Sequence, residues 1–74
     1  MQTVDLRGVA CPTNFVKAKL ALEMADAGDV LCFFLDAGEP VANVSASLQG
    51  EGHRLLAMEE RQGYFVLTVE KVGD

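Results

Sequence analysis

Apolar residues recur along this chain at two different spacings, and the switches between them mark six elements. Val4 and Leu6 alternate with Asp5 and Arg7, the period of a strand with one apolar face, over residues 3–7. From Pro12 the spacing becomes three and four residues and predicts a helix over 12–27, stopped at Ala27-Gly28-Asp29 with glycine as the C-cap. Residues 30–35 are a continuous apolar run between Gly28-Asp29 and Asp36-Ala37-Gly38, which suits an interior strand. Val41, Val44 and Leu48 predict a second helix, from about Pro40 to the Gly50-Glu51-Gly52 stop. Residues 54–60 and 64–71 then read as two strands joined through Arg61-Gln62-Gly63, where Gly63 is able to take positive φ.

The order is therefore βαβαββ. Right-handed crossovers place both helices on one face of a four-stranded mixed sheet, with the last two strands as an antiparallel hairpin. This is an α/β two-layer sandwich that leaves the other sheet face open to solvent or to a partner. In the last strand Phe65, Leu67 and Val69 are expected to face the core, and Tyr64, Val66, Thr68 and Glu70 to face outward. The first helix carries two apolar stripes, one of Phe15, Ala18, Leu22 and Ala25 and one of Val16, Leu20 and Met24. One is expected to meet the sheet and the other a neighbouring helix; the alternative for the second is a docking surface for a partner protein.

Length and charge narrow the function classes. A chain of 74 residues is one domain, 1–74, near the lower limit for building a core without staples, and its 50% hydrophobic content makes that core feasible. Six basic against eleven acidic residues give a formal net charge of −5, with no separate Lys/Arg block, so direct nucleic-acid binding is disfavoured. There is no basic segment followed by an apolar run and a small-residue cleavage site. No apolar stretch approaches the roughly 20 residues that span a bilayer. The expectation is a soluble, cytoplasmic protein without a membrane segment, whose two cysteines stay reduced. With no C-x-x-C pair and a single histidine, no zinc-ligand spacing is present and no structural metal is expected.

The chemistry concentrates on Cys11, at the junction between the first strand and the first helix. Proline is favoured at the first helical position, so Pro12 places Cys11 at or next to the N-cap. There the thiol faces unpaired backbone donors and the positive end of the helix dipole, which together favour an anion by up to about 2 kcal/mol. A thiol at an exposed turn meets both demands of displacement at sulfur, ionisation and access.

Asp5-Leu6-Arg7-Gly8-Val9-Ala10-Cys11-Pro12 resembles the signature of the TusA/SirA/YedF family of small sulfur-carrier proteins, in which D-x-R-G runs into Cys-Pro-x-Pro. The likeness extends through Gly52-His53-Arg54-Leu55-Leu56 and the final strand, and the same two-layer fold is what it implies. It implies that Cys11 accepts sulfane sulfur as a persulfide from an upstream donor protein, such as a cysteine desulfurase or a rhodanese. The sulfur then passes to an acceptor protein, for tRNA thiolation, sulfur oxidation or assimilation, and no cofactor is needed. Asp5, Arg7, Gly8 and Pro12 carry over as supporting positions: Arg7 to favour the sulfur anion, Asp5 to orient it, Gly8 for backbone geometry. Asn14 departs from the family, which has proline there. At the third helical position proline removes no helical hydrogen bond, whereas Asn restores a donor and adds a polar side chain beside the thiol. Two other readings stay open, a non-catalytic interaction or regulatory module that keeps the fold, and a relative tied to selenium metabolism.

Plainer readings apply to the remaining reactive residues. Cys32 lies within the apolar strand and is expected to behave as a small buried hydrophobe rather than a resolving thiol. His53 has no second ligand nearby and reads as a surface or helix-end residue. Lys17 and Lys19 read as the solvated helix face, with an acidic partner as the alternative, and Glu59-Glu60 as a charged hairpin end that protects an edge.

Overall fold

The computed structural model describes residues 2–73. Its elements are β1 (Gln2–Asp5), α1 (Thr13–Glu23), β2 (Val30–Asp36), α2 (Glu39–Gly50), β3 (Arg54–Glu60) and β4 (Tyr64–Glu70). The apolar run becomes β2, with Leu31, Phe33 and Leu35 buried on one face and Val30, Cys32, Phe34 and Asp36 half-buried on the other. Strand order is β1-β2-β4-β3: β1 runs parallel to β2, and β4 is antiparallel to both of its neighbours. Both crossovers deliver their helix to the same face. Ala18 and Leu22 of α1 and Val41, Val44 and Leu48 of α2 join Leu31, Phe33, Leu35, Leu67 and Val69 of the sheet in one core cluster. The opposite face of the sheet is uncovered, as the element order predicts. Gly63 closes the β3–β4 hairpin with φ of +86°.

Several boundaries and exposures differ from the sequence reading. β1 stops at Asp5, not at residue 7: Leu6 N–H still reaches the Phe34 carbonyl at 2.8 Å, but Val9 N–H then bonds back to the Leu6 carbonyl and turns the chain. α1 begins after Pro12, which is its N-cap and not its first residue, and ends at Glu23 with Met24 as C-cap, short of residue 27. Asp26 and Asp29 cause the early end. Asp26 N–H donates to the Asp29 carboxylate and Asp29 N–H to the Asp26 carbonyl, and such local bonding competes with helix. Gly28 therefore serves the turn into β2 and does not cap the helix.

The second stripe of α1 meets no neighbouring helix. Val16, Leu20 and Met24 are 49%, 52% and 86% exposed, because α2 packs beside the first stripe. Cys32 is not part of the core: it projects from the open face of β2, half-buried, with Sγ 3.7 Å from Thr68 Oγ1. Val66 points outward as expected yet is buried, flanked in register by Phe34 and Glu59.

Candidate functional site

Residues 6–12 form a turn at the end of the sheet where β1 and β2 finish and β4 starts. Gly8 there has φ of +77°, and a Cβ added to it meets nothing within 4 Å. Backbone conformation, not space, therefore calls for glycine at this position. Gly8 N–H donates to Asp36 Oδ2 at 2.9 Å, tying the turn to the last residue of β2. Cys11 follows as an exposed residue joined to Pro12 by a cis peptide bond, one position outside the helix N-cap.

The amides at the start of α1 are largely engaged. Asn14 N–H donates to the Ala10 carbonyl at 3.0 Å, Phe15 N–H to Asn14 Oδ1 at 2.7 Å, and Val16 N–H to the Pro12 carbonyl at 3.1 Å. Among the described residues no acceptor pairs with the Thr13 N–H, which leaves it as the backbone donor nearest Cys11 in sequence. Asn14 is the second helical residue, not the third. Its side chain is not at the surface with the thiol; it is fully buried, and among the described residues Nδ2 has no hydrogen-bond partner.

Asp5 and Arg7 meet as the alternation places them, but they engage each other. Arg7 Nε and Nη2 donate to the two Asp5 carboxylate oxygens at 2.9 and 2.8 Å, and Arg7 N–H adds a third bond at 3.1 Å. Hydrogen bonding from the Arg7 side chain, then from its backbone, pulls the Asp5 carboxyl down from 3.8 to about 2. The Asp5 hydrogen bond in turn raises the Arg7 guanidinium above its usual value. The guanidinium lies 4.6 Å from the Tyr64 ring centroid and 5.3 Å from that of Phe34, so it is held against the open sheet face. With its charge engaged by Asp5 and two rings, Arg7 braces the turn and is not an unpartnered cation. Phe34, Asp36 and Tyr64 thus belong to the site region although no motif marked them. Their strand ends converge with the turn only through β2–β4 pairing, in which Asp36 faces Tyr64 and Phe34 faces Val66.

This arrangement presents one thiol on a braced turn, with an exposed apolar stripe running down the helix that starts beside it. The family model described as Sulfurtransferase TusA matches residues 2–71. The chain belongs to the TusA family. A relative from Archaeoglobus fulgidus named "Putative sulfur carrier protein" is 36% identical over 73 residues, 99% of this chain and 70% of its own length. A Neisseria meningitidis protein with the same descriptive name is 35% identical over 69 residues, 93% of each chain. The crystal structure of a SirA-like protein from Desulfitobacterium hafniense superposes with a TM-score of 0.81 at 28% identity, covering 99% of this chain and all of the other. A Helicobacter pylori protein solved in solution, at 21% identity and a TM-score of 0.75, has the same fold over 99% of this chain. The TusA fold thus accounts for the four-stranded mixed sheet and both helices, and membership makes this chain a sulfur carrier of the TusA type.

The remaining candidates lie elsewhere. His53 Nδ1 accepts the Val72 N–H at 3.2 Å, near the far end of α1, beside a cavity of about 410 Å³ lined by Glu23, Glu51, Lys71 and Val72. Lys19 pairs with Glu51 at 3.5 Å, Lys17 is exposed, and Glu59 pairs with Arg61 across the hairpin end. Among the described residues no group of three or more His, Cys, Asp or Glu side chains could hold a metal ion, and no helix is long and apolar enough to cross a membrane.

Proposed function

We propose that this TusA-like domain, residues 1–74, is a cytoplasmic persulfide carrier that takes sulfane sulfur onto Cys11 and relays it to an acceptor protein. The observation that carries the reading is Cys11 itself, exposed at the tip of a braced turn immediately before α1. In the loading step the Cys11 thiolate attacks the terminal sulfur of a donor persulfide. The donor S–S bond breaks, its cysteine leaves as thiolate, and Cys11–S–SH forms with no net oxidation. In the delivery step a nucleophile of the acceptor attacks that terminal sulfur, and Cys11 leaves as thiolate. Asp5, Arg7 and Gly8 hold the turn, and Pro12 caps the helix. The donor, a cysteine desulfurase or rhodanese, and the acceptor dock transiently around the thiol. The exposed Val16-Leu20-Met24 stripe supports that docking, since it offers apolar area next to Cys11 that the fold leaves uncovered.

Incubation with a cysteine desulfurase, its coenzyme and cysteine is expected to add the mass of one sulfur atom to the peptide containing Cys11, removable by reduction and absent from Cys11→Ser. Leu20→Glu is expected to slow loading from the protein donor while leaving loading from polysulfide unchanged, because a small molecule needs no docking surface. A reactive Cys11 that loads from none of several desulfurases and rhodaneses would instead make the chain an interaction module that keeps the TusA fold.

A further inference from the structure

Asp36 lies outside the motif around Cys11, on a different element, and neither thiol chemistry nor the motif calls attention to it. Its place in the hydrogen-bonding of residues 6–14 is nevertheless singular. Leu6 N–H to Phe34 simply extends the sheet, the bond from Arg7 N–H ends on Asp5 two residues earlier, and those from Val9 and Asn14 N–H end on Leu6 and Ala10 inside the same stretch of chain. Among the described residues, the bond from Gly8 N–H to Asp36 Oδ2, 2.9 Å long, is the hydrogen bond that ties the turn beyond Arg7 to another element, next to the packing of the Arg7 guanidinium on Phe34 and Tyr64. Gly8 has no side chain with which to anchor itself, and its Cβ position is empty space. Asp36 can act as a fixed post because it ends β2 with its backbone in register against Tyr64 of β4.

We propose that Asp36 is a positioning residue for sulfur transfer: by accepting the Gly8 amide, its carboxylate sets where the turn presents Cys11. This rests on the sulfur-carrier reading of Cys11 and adds a residue that the reading does not contain. Transfer between two proteins requires the attacking sulfur to lie in line with the S–S bond that breaks, and the docked surfaces fix the donor in space. A turn released from Asp36 spreads the thiol over several positions, and misplacement by about 1 Å costs up to about 100-fold in an oriented reaction. A small electrophile approaches from any direction and is indifferent to that spread.

Asp36→Ala and Asp36→Asn separate the possibilities, because the Asn side-chain oxygen still accepts the Gly8 N–H. Three quantities are compared with wild type: loading of Cys11 from a cysteine desulfurase, alkylation of Cys11 by iodoacetamide, and hydrogen exchange of the Gly8 amide by NMR. For Asp36→Ala the expected result is loading slowed about tenfold or more, alkylation within about twofold and faster Gly8 exchange. Asp36→Asn is expected to restore loading and exchange to near wild type. Should Asp36→Ala fail to fold, Asp36→Glu, which displaces the carboxylate by one methylene, takes its place with the same expectation. Unchanged loading in a folded Asp36→Ala, unchanged Gly8 exchange, or an Asn variant as defective as the Ala variant would overturn the proposal. If wild type itself loads from no donor, the carrier reading fails; the Gly8 exchange then decides separately whether Asp36 holds the turn, faster exchange in Asp36→Ala upholding it and unchanged exchange overturning it.

Discussion

The Asp5 carboxylate receives three hydrogen bonds from Arg7, and their effect on acidity gives the turn a defined pH response. Because the folded-state value is depressed from 3.8 to about 2, the stabilising contribution is present in full above about pH 3.8 and is lost as the pH falls through about 2. An NMR titration of the Asp5 carboxyl is expected to show a midpoint near 2, moving back toward 3.8 in Arg7→Gln. A wild-type midpoint at the higher value would mean that the pair does not form in solution. At Asn14 opposing effects nearly cancel. Asn14→Pro removes the bonds from Asn14 N–H to Ala10 and from Phe15 N–H to Oδ1, each worth about 1 kcal/mol, while relieving a buried unpartnered amide that costs about 1–3 kcal/mol. The melting temperature is therefore expected to stay within about 8 °C of wild type. A much larger fall would show that an internal water satisfies Nδ2 and that the amide stabilises the fold. The sequence marked Asn14 as the departure from the family motif, but not its burial, because spacing does not say which stripe of the helix is covered. Asn14 lies four residues before Ala18 and eight before Leu22, on the stripe that the core buries, so it turns inward with them.

For the elements, the helix that carries the site is held at its far end by a residue from the last strand's exit. Lys71 is buried, and its Nζ donates to the carbonyls of Ala25 at 2.7 Å and Glu23 at 3.3 Å, near the end of α1. A cation there satisfies orphan acceptors and complements the helix dipole. Lys71→Met keeps the aliphatic packing and removes both bonds, so chemical denaturation is expected to show a loss of about 2–3 kcal/mol. A loss below about 0.5 kcal/mol would mean that water replaces the ammonium at no cost. Both stripes of α1 were legible from spacing, yet which one would be covered was not. The covered stripe is the one facing β2 and α2, and Val16, Leu20 and Met24 remain outside because two helices are too few to enclose a third face.

For the molecule as a whole, one core serves both helices and the sheet, so damage at its centre is shared. Phe33 is completely buried in that cluster. Phe33→Ala is expected to cost about 3–5 kcal/mol. A domain of this length has about 4–11 kcal/mol in total, at about 0.05–0.15 kcal/mol per residue. Helical circular dichroism and the Tyr64 signal should then be lost together at a much lower denaturant midpoint. Separate transitions for the two signals would show that the helices and the sheet do not share a single cooperative core.

The sequence alone determined the six elements, their order, the hairpin at Gly63, the inward set Phe65, Leu67 and Val69, and the Asp5-to-Pro12 motif around Cys11. Each of these depends on local periodicity or on contiguous residues. Tertiary structure decided that β4 and not β3 lies beside β2, a choice made by burial: β4 is apolar enough to be covered even at Val66, whereas β3 carries Arg54, Glu59 and Glu60 to an edge. That choice in turn brings Phe34, Asp36 and Tyr64 to the Cys11 turn, sets Thr68 beside Cys32, and lets Lys71 reach the end of α1. Such contacts join residues far apart in the chain, and strand pairing, which no local pattern encodes, is what brings them together.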